Sequence, residues 1–341
     1  WSETNTESGS SSDQDIVYSS SNNDGTSWSD YDDVSEHYYE AFSGLPSLAY
    51  SGDFIYLVYM DNGDYDQENN PNGNDAADRD GDIYFQRSDD EGESWDSLKV
   101  LSLFDEDEEN DLDYTSILLQ YRTDISATGS YVHVAWVDYD SYNGGYDIYY
   151  TKSSNNGNTW TTPESVSTAS SPGGVTIASS GSDVVIAWVD FGDIFHVSSS
   201  NNGDSWSSET ELESLSTNLN YMPEIIHNEG KFHVIWSNTA SGQSVQYTSS
   251  EDGFDWSDTV YINTGGKSGT SYTPVISADG PKLYAAWSDS GNYDGDSSSD
   301  YDIVGAVSDD NGETWQEDKL FIDTSTSTTY YLPSLASGSG F

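Results

Sequence analysis

An octapeptide of the form S-x-[DNE]-x-G-x-x-W occurs six times, and it constrains the fold more than any other feature of the chain. It reads SNNDGTSW ending at Trp28, SDDEGESW at Trp95, SSNNGNTW at Trp160, SSNNGDSW at Trp206, SSEDGFDW at Trp256 and SDDNGETW at Trp315. The intervals between its glycines (Gly25, Gly92, Gly157, Gly203, Gly253 and Gly312) are 67, 65, 46, 50 and 59 residues. An Asp or Asn side chain accepts hydrogen bonds from nearby backbone N–H groups, and glycine supplies a positive φ. Each octapeptide therefore encodes a tight hairpin turn, and its Trp is expected to fold back over the sheet that carries the turn. A unit repeated at this period buries its apolar faces by stacking on its neighbours.

Short alternating runs surround every turn. One precedes it, as in Asp82-Ile83-Tyr84-Phe85-Gln86 and Asp147-Ile148-Tyr149-Tyr150. Another lies further upstream and ends in an aromatic residue, as in Val132-His133-Val134-Ala135-Trp136 and Leu283-Tyr284-Ala285-Ala286-Trp287. Upstream again is a strand that often opens at proline, as in Pro46-Ser47-Leu48, Pro223-Glu224-Ile225, Pro274-Val275-Ile276 and Pro333-Ser334-Leu335. Alternation over such lengths reads as β-strand. We label the strands of a unit A (proline), B (aromatic end), C (before the octapeptide) and D (after it). Four-stranded antiparallel units repeated radially make an all-β propeller. Six units give a six-bladed β-propeller spanning residues 1–341 as one domain. Residues 332–341 align with residues 45–54, and Trp1 aligns with Tyr59. The expectation is a ring closed by a C-terminal strand A joining N-terminal strands B to D, within a segment of a longer protein.

Composition removes several alternatives. The chain has 11 Trp, 26 Tyr and 10 Phe at recurring places, which argues for a packed β protein despite its charge. Nine basic against 61 acidic residues give a net charge of −52, which excludes nucleic acid as a partner and disfavours anionic membranes. No apolar run approaches the ~18 residues of a membrane-spanning helix, so no membrane insertion is expected. Cysteine is absent, so thiol chemistry is excluded. Scarce lysine, with Asp, Glu and Ser crowding the loops, resembles the composition of proteins from halophiles.

The octapeptide resembles the Asp-box, or bacterial-neuraminidase repeat, of the sialidase-like propellers, and the resemblance spans residues 21–315. It implies that the octapeptides are structural turns on one rim. It also implies that chemistry belongs to the opposite face, where the B–C and D–A connections emerge. Acidic residues flank the B–C connections there. Glu3, Asp61, Asp138, Asp190 and Asp289 follow strand B, and Asp15, Asp82, Asp147, Asp193 and Asp302 precede strand C. Two of these connections are long and rich in oxygen ligands. The first ends Asp78-Arg79-Asp80-Gly81-Asp82, and the second holds Asp294-Gly295-Asp296. Calcium takes six to eight oxygens on a chain that glycine lets turn sharply. The candidate calcium ligands are Asp61, Asp78, Asp80 and Asp82 in one loop and Asp289, Asp294, Asp296 and Asp302 in the other; no organic cofactor is expected. The acidic run 105–113 has no glycine to fold it round an ion and reads as solvated surface.

Sialidases clamp a carboxylate with three arginines, one of them two residues before the strand-A proline. That position holds Gly44, Tyr221, Tyr272 and Tyr331 here, and Tyr121 followed by Arg122 in the unit without the proline. The three arginines of the chain are Arg79, Arg87 and Arg122, and Arg87 lies on the octapeptide rim, so the clamp is missing. No catalytic residue is assigned. Asp124 and Glu224 near the channel mouth are the carboxylates a glycosidase would use, while His133 and His233 read as packed strand residues. Tyr121, Arg122, Tyr221, Tyr272 and Tyr331 form a candidate ligand-binding set at the mouth, where aromatic faces beside acidic acceptors suit a neutral sugar; the alternative is that the tyrosines are plugs closing the channel. The reading is a non-catalytic binding or assembly module, extracellular or at the cell surface. Its expected partners are a glycan, a surface protein or other copies of itself. The alternative is a glycoside hydrolase.

The charge makes its own prediction. The Debye length is ~30 Å at 0.01 M salt and ~3 Å at 1 M, so self-repulsion of this surface is screened only in concentrated salt. Tryptophan fluorescence followed while salt is lowered should report unfolding; a protein fully folded in millimolar buffer contradicts the reading.

Overall fold

A computed structural model describes residues 2–4, 14–23, 25–35, 43–61, 82–102, 123–140, 145–169, 171–213, 220–238, 245–263, 271–291, 301–316, 319–322 and 333–336. Among them every regular element is a β-strand, and the strands form six antiparallel sheets in chain order. The chain divides into two compact units, residues 1–167 and 168–341.

The first unit holds three sheets. The first comprises β1 (Ser2–Thr4), β2 (Gln14–Tyr18) and β3 (Asp32–Asp33). The second comprises β4 (Ser43–Ser51), β5 (Phe54–Asp61), β6 (Asp82–Ser88) and β7 (Lys99–Val100). The third comprises β8 (Thr123–Thr128), β9 (Tyr131–Asp140), β10 (Gly145–Ser153) and β11 (Glu164–Ser165). The second unit holds β12 (Pro172–Ser180), β13 (Asp183–Asp190), β14 (Asp193–Ser199) and β15 (Thr210–Glu213) in its first sheet. Its next sheet is β16 (Asn220–Asn228), β17 (Lys231–Asn238), β18 (Val245–Ser250) and β19 (Val260–Tyr261). Its last is β20 (Ser271–Asp279), β21 (Lys282–Asp289), β22 (Asp302–Ser308) and β23 (Lys319–Ile322). In the five four-stranded sheets strands A to D pair in sequence order, as the repeat predicts. The first sheet has three strands, and the described residues 333–336 lie in no strand.

Within each unit strand B of the middle sheet is buried on both faces, because that sheet packs between two neighbours. In β5, Tyr56 and Val58 meet Ile125, Val132, Val134 and Trp136 of the third sheet. The alternate residues Leu57 and Tyr59 meet Ile16 and Val34 of the first. In the second unit, Phe232, Val234 and Trp236 of β17 pack on Val185 and Ile194, while Ile235 packs on Leu283, Ala285 and Trp287. His133 and His233 are fully buried mid-strand, each with Nδ1 at 2.7 Å from a tyrosine hydroxyl, Tyr150 and Tyr247 respectively. Burial lowers His133 to about 3 and His233 to about 4, so both rings stay neutral and act as packed strand residues.

The octapeptide is a hydrogen-bonded turn. In the second sheet Ser88 Oγ accepts from Gly92 N at 2.8 Å, and Asp90 Oδ1 accepts from Ser94 N at 2.8 Å and from Ser88 Oγ at 2.7 Å. Asn155 and Asn201 take the same place in their turns. The fifth copy departs from the alignment. Gly253 N bonds Ser250 Oγ three residues back, and Asp252, not Glu251, accepts from Phe254 N and Asp255 N. That turn is one residue shorter and lacks the left-handed residue that precedes glycine elsewhere (Glu91, Asn156, Asn202, Asn311).

The Trp does not stay over its own sheet. Trp95 meets Tyr18 of the preceding sheet edge-on at 5.3 Å, Trp160 meets Phe85 at 4.8 Å, Trp256 meets His196 at 5.4 Å and Trp315 meets Tyr247 at 5.1 Å. At three of these turns the glycine approaches the same ring, while Gly253 faces Val185 Cγ2 instead. A Cβ at Gly157 would lie 2.5 Å from Phe85 Cζ, and one at Gly312 would overlap the Tyr247 hydroxyl.

Hydrogen bonds from Ser94, by its side chain first and then its backbone, and from Ser88 hold the Asp90 carboxyl below its usual range. Its contribution is therefore complete above the ordinary carboxylate pKa and fades as pH falls through the lowered value. Asp90→Ala should lower the melting temperature at neutral pH. Asp90→Asn, which copies Asn155, should keep it and remove part of the acid sensitivity. Thermal unfolding against pH checks this; equal losses in both variants would show that the acceptor is not what stabilises the turn.

Candidate functional site

The B–C end carries a bulge in strand A in four of the sheets, and acids opposite each other across strands B and C in five. The register of strand A slips between Gly44 and Ser47, Gly173 and Thr176, Tyr221 and Glu224, and Tyr272 and Val275. The slip sits on a left-handed residue each time: Leu45 (φ 53), Gly174 (φ 57), Met222 (φ 40) and Thr273 (φ 48). Three of these carry side chains, so the bulge holds strain of order 1–3 kcal/mol per site that the surrounding sheet must over-determine.

The predicted acidic pairs are in register. Glu3 stands opposite Asp15, Asp61 opposite Asp82, Asp138 opposite Asp147, Asp190 opposite Asp193 and Asp289 opposite Asp302. The remaining sheet has Asn238 after strand B, and its Nδ2 donates to Gln246 Oε1 at 2.9 Å. Asp15, Asp61, Asp138, Asp147, Asp289 and Asp302 are buried. A buried carboxylate needs donors, and the sheet supplies them. Ser43 Oγ donates to Asp61, and Ser102 Oγ donates to Asp82 at 2.8 Å. Trp136 Nε1 donates to Asp138 at 2.9 Å, and Ser167 Oγ donates to Asp147 at 3.2 Å. Asp289 accepts from Ser271 Oγ at 2.5 Å, Gly291 N at 2.6 Å and Trp287 Nε1 at 3.3 Å.

Sequence reasoning missed the serine that follows strand D. Ser35, Ser102 and Ser167 each accept the backbone N–H of an isoleucine 19 residues earlier (Ile16, Ile83, Ile148). The signal was present as an Asp-Ile pair followed at fixed distance by serine. It ties strand D, strand C and the acid into one unit.

Of the candidate calcium ligands, Asp61, Asp82, Asp289 and Asp302 lie at these strand ends, while Asp78, Asp80, Asp294 and Asp296 fall outside the described residues. Among the described residues no group of three or more His, Cys, Asp or Glu is arranged to hold a metal ion. Of the mouth residues, Tyr121, Arg122 and Tyr331 lie outside the described residues, and Tyr221 is described only in its backbone pairing with Ser237. Tyr272 is half-buried and meets Tyr301 edge-to-face at 5.8 Å, beside the Asp289–Asp302 pair. Tyr301 was not anticipated, because it ends a long B–C connection with no repeat signature. Asp124 accepts from Ser47 Oγ at 2.7 Å across adjacent A strands. Arg87 is on the octapeptide rim as expected: it bonds Asp96 Oδ2 at 2.6 Å and the Asn156 carbonyl, and lies over Phe54.

No protein-family model matches the chain, and no curated protein matches it. Solved structures do. The K499G mutant of NanB sialidase from Streptococcus pneumoniae matches at TM-score 0.53 and 16% identity, covering 81% of this chain and 60% of that one. A protein of unknown function from Dyadobacter fermentans matches at TM-score 0.55 and 14% identity, covering 87% of this chain and 84% of that one. The fold is that of the sialidase-like propellers. Identity this low speaks for the fold alone, since one fold hosts unrelated activities. The chain spans about 60% of the NanB length.

Proposed function

We propose that the chain is a non-catalytic binding module: a six-bladed propeller closed by its C-terminal strand, salt-adapted, working outside the cell or at its surface, and recognising a glycan or surface protein through the B–C face. Six sheets fit six blades. One observation carries the reading of the face. Asp61, Asp82, Asp138, Asp147 and Asp289 are committed to serine, tryptophan and backbone donors, as Asp289 is to Ser271, Trp287 and Gly291. A carboxylate held this way orders the rim and is poorly placed to deliver a proton or attack a bond. Beside these acids the tyrosine corner of Tyr272 and Tyr301 offers rigid amphipathic area at low entropy cost.

The likeness to a sialidase favours the rival reading of a glycoside hydrolase. Against it, the described positions two residues before the strand-A proline hold Gly44, Tyr221 and Tyr272 where a sialidase would place arginine. A glycan array in molar salt, with Tyr272→Ala alongside, separates the readings. Retention of a glycan that Tyr272→Ala loses, with no sugar released over time, is the expected result. Steady release of reducing sugar would establish the hydrolase, and retention of nothing would remove the glycan reading.

A further inference from the structure

The B–C connection of the fourth sheet is a tight turn. Strands β13 and β14 pair from Asp190 opposite Asp193, leaving Phe191 and Gly192 as a two-residue turn. Both are left-handed, with φ 48 and 93. A two-residue hairpin with two positive φ values prefers Asn-Gly, because a bulky side chain is strained there. Elsewhere this chain places a polar residue at the left-handed position immediately before glycine: Asn156, Asn202, Asn311 and Glu91 in octapeptides, and Glu229 in the two-residue turn between β16 and β17. At 191 it places phenylalanine instead, and the side chain is 74% exposed. Gly192 is buried beneath it, and the carboxylates of Asp190 and Asp193 on either side remain half-exposed. An aromatic ring that is both strained and solvated stabilises neither the turn nor a core, and such outliers collect at binding sites.

Resting on the reading of the B–C face as a glycan-binding surface, we propose that Phe191 is an aromatic platform for an uncharged pyranose ring. The ring supplies a flat apolar face for the C–H side of the sugar. Asp190 already accepts from Ser171 N at 2.9 Å, and a carboxylate has acceptor capacity for several donors at once, so Asp190 and Asp193 suit sugar hydroxyls. The same two acids, at contact range where salt screens least, discriminate against uronic and sialic acids. Stacking is little affected by salt, which fits a surface whose long-range field concentrated salt screens.

The test uses the whole chain in molar salt with neutral oligosaccharides of glucose, galactose, mannose and N-acetylglucosamine, and a glucuronic acid disaccharide as the charged control. Aromatic carbon NMR reports on the Phe191 ring. A neutral sugar should perturb that ring and the charged control should not. Phe191→Asn should weaken binding about tenfold or more, a loss of roughly 1.4 kcal/mol, while raising the unfolding midpoint because it relieves the strained turn. A lowered midpoint in Phe191→Asn would contradict the strain argument. If sugars bind and Tyr272→Ala loses them while Phe191→Asn does not, the Phe191 platform is wrong and the wider reading stands. If no oligosaccharide binds the parent chain, both fall.

Discussion

Within each unit the structure depends on one recurring contact: at three octapeptide turns the glycine and tryptophan close together on a ring in strand C of the sheet before. Phe85 receives Gly157 and Trp160, and Tyr247 receives Gly312 and Trp315. A single sheet has two apolar faces and cannot bury either alone. The apolar faces of strand B, such as Tyr56 and Val58 on one side of β5 and Leu57 and Tyr59 on the other, supply non-directional burial. The turn adds what burial lacks, a fixed offset between sheets, because only a residue without Cβ lets the backbone lie on the ring. The Trp then fills the space beside it.

That division of labour explains where the two rims differ. On the octapeptide rim the polar groups are local and mostly exposed, so Asp and Asn exchange freely between copies: Asp90 and Asp310 do what Asn155 and Asn201 do. At the B–C ends Asp61, Asp147 and Asp289 are buried and held by serines from distant parts of the same sheet. This rim tolerates variation in its connections, from the two residues at Phe191 and Gly192 to the long stretch between Asp61 and Asp82. A rigid base with variable connections fits the binding role proposed above.

Much of this was legible in the sequence. The six octapeptides gave the count of sheets, the alternating runs gave the strands and their order, and the paired acids were in register where the spacing put them. What escaped was whatever depends on a neighbour. The Trp was expected to cover its own sheet because sequence order carries no information about which sheet lies against it. The fifth turn was misaligned by one residue because SSED offers two serines and two acids, and only the backbone path chooses Ser250 and Asp252. The strand-A bulge was hidden for a related reason: Leu45, Met222 and Thr273 are ordinary residue types in a left-handed conformation that tertiary context imposes. Tyr301 and Phe191 lie in non-repeating connections, where periodicity is silent.

The central claim is that glycine is required at the turn by the ring of the preceding sheet, over and above its own positive φ. A double-mutant cycle on Gly312→Ala and Tyr247→Ala, read by denaturant unfolding in concentrated salt, tests it directly. The strain of a side chain at φ 85 remains in both backgrounds, so the cycle isolates the overlap with the tyrosine. The account predicts that Gly312→Ala is much less damaging once Tyr247 is shortened, with a coupling of about 1 kcal/mol or more. Simple additivity of the two losses would show that the turn and the ring do not depend on each other.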